Sequence, residues 1–214
     1  MSFKNAIFDL DGTIVDSSPG IYESVRYALD KMGIENYDES LLKNFIGPPL
    51  TYSFSRYFNM SEADADKAVV FYRENYSVSG VNKTSLYEGM KDLLSGLKQK
   101  GIRLYIASSK PQIFVEKVLA DHNLTDYFDF IAGATFDKTR NSKTDVLKYL
   151  IDKTNIDVRA SIMIGDRFHD IEGAHNLNMK CAAVLFGFGN KEEFLEYKAD
   201  YIAKDCSDLY KIIT

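Results

Sequence analysis

Short, unbroken apolar runs recur along the chain. They are Ala6-Ile7-Phe8, Leu104-Tyr105-Ile106-Ala107, Phe130-Ile131-Ala132, Ile162-Met163-Ile164 and Ala182-Ala183-Val184-Leu185. The runs do not alternate with polar residues, which is the pattern of parallel strands covered on both faces. Between most of them apolar residues recur at helical spacing. Met90, Leu93, Leu94 and Leu97 share a face, as do Phe114, Val115, Val118 and Leu119, and Val146, Leu147, Leu150 and Ile151. From about Tyr87 onward strand and helix patterns alternate, which predicts a doubly wound α/β fold on a parallel sheet.

The stretch from Ile14 to Glu88 breaks that alternation. Ile21, Val25, Ala28, Leu29 and Met32 form one helical stripe, ended by Gly33. The segment SEADADKAVVFYRENY opens with a capping-box pattern, Ser61 and Asp64, and reads as a further helix. Gly47, Pro48 and Pro49 break the run between them. No parallel strand is evident, and a structureless loop of this length inside a compact domain is improbable. The pattern therefore predicts an inserted all-helical domain over 15–87, with the α/β core formed by 1–14 and 88–214.

Composition narrows the function classes. The 214 residues are 45% hydrophobic and 27% charged, enough for a real core. The net charge of −5 offers no basic surplus for nucleic acid or an anionic membrane. No apolar run approaches the roughly 20 residues of a membrane span. The opening MSFKNAIFDLDG lacks the pattern of a signal peptide. Cys181 and Cys206 stand far apart and in no metal-ligand spacing, as expected of reduced thiols. The expectation is a cytoplasmic protein, a monomer or weak homodimer, with a small-molecule substrate.

In open α/β sheets ligands bind beyond the carboxyl ends of the strands. Asp9 and Asp11 follow the first strand, and Ser108, Ser109 and Lys110 follow the second. Lys143 opens a later helix, and Asp166 and Asp170 follow the fourth strand in GDRFHD. Taken singly, each has a plain reading as a cap, a turn residue or a solvated lysine. Together they place several acids, hydroxyls and a lysine at one sheet edge. Two carboxylates at the end of a buried strand are costly unless a cation joins them or one is meant to react.

These residues carry a resemblance. DLDGT at Asp9–Thr13, a hydroxyl after the second strand, a later lysine and the GDxxxD segment resemble the motifs of the haloacid dehalogenase-like hydrolase superfamily. The helical insertion resembles that superfamily's C1-type cap, and the chain is most similar to phosphoglycolate phosphatase-like members. The resemblance implies a phosphatase in which Asp9 attacks phosphorus and Asp11 serves as acid and base. It implies Mg²⁺ held by Asp9, Asp11 (through its main-chain carbonyl) and Asp166, with Asp170 in the same metal set, orienting more than ligating. Ser108, Ser109 and Lys143 would hold phosphoryl oxygens, with Lys143 also offsetting repulsion between Asp9 and the phosphate. Gly12 and Thr13 would shape the loop, and Gly47 and Pro48 would belong to a substrate-selecting cap loop. The cap would close over the site and exclude water.

Asp11 argues for phosphoryl rather than carbon–halogen chemistry. Sugar phosphomutases of this family carry a cap histidine about ten residues after that aspartate. Here Ile21 stands there, and no histidine lies between Asp11 and His122. Phosphonatases use a cap lysine; Lys31 and Lys43 match only by being present. The first expected substrate is phosphoglycolate, with nucleoside monophosphates, sugar phosphates and pyrophosphate as alternatives. A phosphoaccepting receiver domain and a non-catalytic binding protein are rivals from other classes. The long insertion and the nucleophile on the first strand oppose the receiver, and the intact set Asp9, Asp11, Ser108, Lys143 and Asp166 opposes the binding protein. The segment Phe186–Gly189 fits either a loop at the site or an apolar patch.

Overall fold

The computed structural model describes residues 3–137 and 139–214. The chain divides into two compact units, one running up to Asp16 and from Leu86 onward, the other Ser17–Ser85. It begins with β1 (Asn5–Phe8) and the short β2 (Val15–Asp16), then enters the helical unit as α1 (Ser18–Lys31), α2 (Leu50–Phe58) and α3 (Glu62–Val78). It returns through β3 (Ser85–Leu86) and alternates: α4 (Met90–Gln99), β4 (Arg103–Pro111), α5 (Gln112–Asp121), β5 (Phe130–Ala134), α6 (Lys143–Thr154), β6 (Ser161–Gly165) and α7 (Phe168–His175). It closes with β7 (Lys180–Val184), α8 (Lys191–Glu196), β8 (Tyr201–Ala203) and α9 (Cys206–Ile213).

Six strands form one sheet in the order β5-β4-β1-β6-β7-β8, and their pairings are parallel. All five expected strands are in it. The sixth, β8, is the three-residue apolar run Tyr201-Ile202-Ala203, which was not among the expected strands; its Tyr201 is exposed. β2 and β3, two residues each, pair with one another and are likewise too short to show a period. Both fall in the stretch where no strand is expected from the pattern.

The continuous apolar runs are explained by burial on both faces. Ile7, Tyr105, Met163 and Cys181 meet Leu147, Leu150 and Ile171 from α6 and α7, and Phe194 from α8. Each fully buried aliphatic side chain there contributes roughly 1.5–3 kcal/mol. The chain winds from β1 to β4 and β5 on one side, then crosses to β6, β7 and β8 on the other. Strand order therefore reverses beside β1, and such a switch point opens a crevice at the carboxyl ends of the central strands.

In the helical unit, Val25, Ala28 and Leu29 of α1 are fully buried, as the stripe requires. The Ser24 hydroxyl donates to the Gly20 carbonyl at 2.8 Å and lies 2.9 Å from Asn75 Oδ1, tying α1 to α3. Ser61 caps α3, its Oγ accepting from the Asp64 N–H at 3.2 Å. Gly47 and Pro48 sit between a 3₁₀ turn ending at Phe45 and α2, with Gly47 exposed in a left-handed conformation at φ 101°.

Candidate active site

Four backbone features build the edge of the sheet at the switch point. β1 ends at Phe8, and the Asp9 N–H still donates to the Ile164 carbonyl of β6 at 2.8 Å. The Asp9 carboxylate accepts from the Leu10 N–H at 2.7 Å, which turns the chain away from the sheet. On β4 the register with β5 holds to Ala107 and resumes only at Pro111, opposite Ala132 and Ala134. Ser108, Ser109 and Lys110 therefore leave the ladder as a bulge, a device that re-aims side chains. Ser142 caps α6 in a reciprocal box with Asp145, which makes Lys143 the first helical residue. The Asp170 carboxylate folds back to accept the Arg167 N–H at 3.1 Å, at the start of α7.

Three of the carboxylates meet. Asp9, Asp166 and Asp170 each present an oxygen within 4.8 Å of the others. Lys143, 4% exposed, closes the group: Nζ lies 2.9 Å from Asp9 Oδ1, 2.8 Å from Asp170 Oδ1 and 2.8 Å from the Ala107 carbonyl. Lys143 thus brings a positive charge to the point where an incoming oxygen would meet the acids.

The electrostatics record this crowding. Burial raises the Asp9 pKa to about 6, with the Asp170 charge adding to it and Lys143 and the Ser108 hydroxyl pulling the other way. Burial, then the charges of Asp170 and Asp9, raises Asp166 well above the ordinary carboxylate value, against the Phe188 N–H. Burial alone would lower the Lys143 pKa, but Asp170 and Asp9 outweigh it and hold the ammonium charged above its usual value. Half-buried Asp9 and buried Asp166, both with raised pKa values, beside the buried Asp170, all hard oxygen donors, are the donor set that a cation such as Mg²⁺ fits.

Gly12 and Gly187 make room for Asp166. At Gly12, φ is 79° and a Cβ would lie 2.1 Å from Asp166 Oδ2; at Gly187 a Cβ would lie 2.4 Å from the Asp166 Cβ. The Phe188 N–H donates to Asp166 Oδ2 at 2.8 Å. The segment Phe186–Gly189 thus belongs to the site as backbone packed on Asp166. Of the two readings its sequence allowed, a loop at the site or an apolar patch, the structure gives the first.

The remaining residues divide. Ser108 is buried and its hydroxyl reaches the Asp9 carboxylate; Ser109 follows it on the bulge, half-buried. Thr13 is fully buried, and its N–H donates to the Leu10 carbonyl at 3.3 Å. The Asp11 carboxylate is not in the acidic trio. Lys110 Nζ holds both its oxygens, at 2.8 and 2.9 Å. Lys110 was not among the expected site residues; a lysine right after a strand was its only signal. Gly47 and Pro48 lie in the helical unit, on the link before α2. His169, second in α7, packs against Phe168 with ring centroids 3.8 Å apart and the planes tilted by 35°, and burial lowers its pKa.

A family model described as haloacid dehalogenase-like hydrolase matches residues 6–184. A 5'-nucleotidase of Pseudomonas aeruginosa is 34% identical over 213 residues, covering 100% of this chain and 96% of that protein. The tyrosine-protein kinase PtkA of Mycobacterium tuberculosis is 35% identical over 198 residues, 92% of this chain; the chain spans 65% of that protein's length. A crystal structure of a predicted phosphatase from Clostridium acetobutylicum superposes with a TM-score of 0.95 at 39% identity, covering 100% of this chain and 99% of that one. Among the described residues no helix is long and apolar enough to cross a membrane.

Proposed function

The chain belongs to the haloacid dehalogenase-like hydrolase family as one of its phosphatases, and from that premise we propose that it hydrolyses a small phosphomonoester through a phosphorylated Asp9, with Mg²⁺ at the acidic trio. The observation that carries this reading is the convergence of Asp9, Asp166 and Asp170 within 4.8 Å at the switch point, with Lys143 buried against two of them.

An oxygen of the Asp9 carboxylate attacks phosphorus, and the bond to the leaving oxygen breaks. Asp11 gives its proton to that oxygen. Water then attacks the phosphorus of the aspartyl-phosphate, Asp11 takes back a proton, and phosphate leaves with Asp9 restored. Lys143 and the Ser108 hydroxyl hold Asp9 in place, and the Lys143 charge offsets the approach of one anion to another. With a pKa of about 6, Asp9 is mostly ionised and nucleophilic at neutral pH. Bound Mg²⁺, held by Asp9 and Asp166 with Asp170 beside them, supplies the positive charge that the carboxylates and phosphate jointly need.

Phosphoglycolate is the first substrate suggested by the sequence motifs, and a nucleoside 5'-monophosphate the first suggested by the Pseudomonas relative. The test is a phosphate-release screen with Mg²⁺ across both of these, sugar phosphates and pyrophosphate. A further arm offers ATP and a tyrosine peptide, because a mycobacterial relative carries a kinase name. Release from a monoester, abolished in Asp9→Asn and by EDTA, is the expected result. Transfer from ATP to the peptide without hydrolysis of any monoester would overturn it.

A further inference from the structure

Lys110 has no part in the chemistry above, yet among the described residues it is, with Lys143, a buried lysine, 9% exposed as a residue. A buried ammonium is retained where an acid partners it closely. Here the partner is Asp11: Nζ sits 2.8 Å from Oδ1 and 2.9 Å from Oδ2, and the two side chains are 6% and 16% exposed. The contact is two-pronged, so it restrains rotation of the carboxylate as well as its position.

The backbone behind Lys110 fits that task. It is the last residue of the β4 bulge, its own N–H lies 3.3 Å from Ser108 Oγ, and Pro111 follows it at the N-cap of α5. Proline fixes its own φ and restricts the residue before it. Lys110 is thus anchored on the strand whose Ser108 reaches Asp9. Asp11 stands two residues beyond Asp9, its backbone bridged to Val15 and its carboxylate held by Lys110. A free Asp11 could join the three carboxylates already crowded at the cation point. Held by Lys110, it stays out of that trio.

We infer that Lys110 is the positioning residue for Asp11, directing its carboxyl group toward the leaving oxygen. This rests on the roles given above to Asp9 and Asp11. It makes Lys110 matter most where the leaving group needs a proton. An alkoxide leaves poorly without one, whereas p-nitrophenolate leaves unaided.

The experiment compares kcat/KM of the Mg²⁺-loaded full chain and its Lys110→Met variant on an alkyl phosphomonoester and on p-nitrophenyl phosphate. Loss of oriented proton donation predicts a fall of about a hundredfold on the alkyl ester and under about threefold on the nitrophenyl ester. Lys110→Arg should restore part of the alkyl activity. In an Asp11→Asn background the lysine change should add nothing, since coupled residues do not add. Equal losses on both esters, or no loss on either, would overturn the inference. If Lys110→Met does not fold, Lys110→Gln is measured in the same way. A parent protein that hydrolyses no monoester at all would instead sink the roles of Asp9 and Asp11, which separates the two failures.

Discussion

Lys143 and Asp9 pull against each other in energy although they touch. Among the described residues, Lys143 is the one cation in an ion pair with Asp9 and Asp170, 2.9 and 2.8 Å away, and removing one partner from a buried ion pair costs about 3–5 kcal/mol. Asp9 is one carboxylate among three, and burial with the Asp170 charge makes its ionised form unfavourable in the fold. The two substitutions should therefore differ in sign. In the metal-free protein at neutral pH, urea unfolding of Lys143→Met should show a loss of about 3 kcal/mol. Asp9→Asn should be as stable as the parent or more so, while turning over no substrate. Comparable destabilisation by both would mean that pairing, not crowding, governs Asp9.

At the scale of elements, the site depends on where helices begin. Lys143 reaches Asp9 only because α6 starts there, and α6 starts there because Ser142 and Asp145 close a capping box. Ser142→Ala should cost about 1 kcal/mol of stability, with Ser142→Asn restoring it. Activity should fall with the cap and return with it, as measured by urea midpoints beside kcat/KM; unchanged activity in a destabilised Ser142→Ala would disconnect the cap from Lys143. The start of α6 was legible in advance only through Lys143, and the central strands as unbroken apolar runs. A strand buried on both faces, such as β6 with all five residues buried, leaves that trace without its neighbours. What could not be read depends on pairing across distance. β8, Tyr201–Ala203, is a short apolar run at the sheet's edge, placed by its pairing with β7. The Asp11–Lys110 contact joins residues 99 apart in sequence, through a bulge that no local pattern encodes. The Phe186–Gly189 segment fitted either a loop at the site or an apolar patch, and its role lies in one N–H and two glycines against Asp166.

For the whole molecule, the α/β unit stores an electrostatic cost at its functional edge. Asp9 and Asp166 both have pKa values raised above 3.8 in the folded state, Asp9 to about 6. The folded protein therefore binds more protons than the unfolded chain across that interval, and stability falls as pH rises. The contribution of Asp9 is fully present below pH 3.8 and lost as pH climbs through about 6. Mg²⁺ competes with those protons, so it should matter little in acid and much at neutral pH. Thermal melting of the full chain with and without millimolar Mg²⁺ tests this. The metal should raise the melting temperature at neutral pH, by the equivalent of about 2.7 kcal/mol if present at a hundred times its dissociation constant. Near pH 5 the shift should shrink, and in Asp166→Asn it should be largely lost at either pH. A Mg²⁺ effect of the same size at both pH values, or one that survives Asp166→Asn, would place the metal away from the trio. The fold would then have to carry the repulsion of Asp9, Asp166 and Asp170 largely against Lys143.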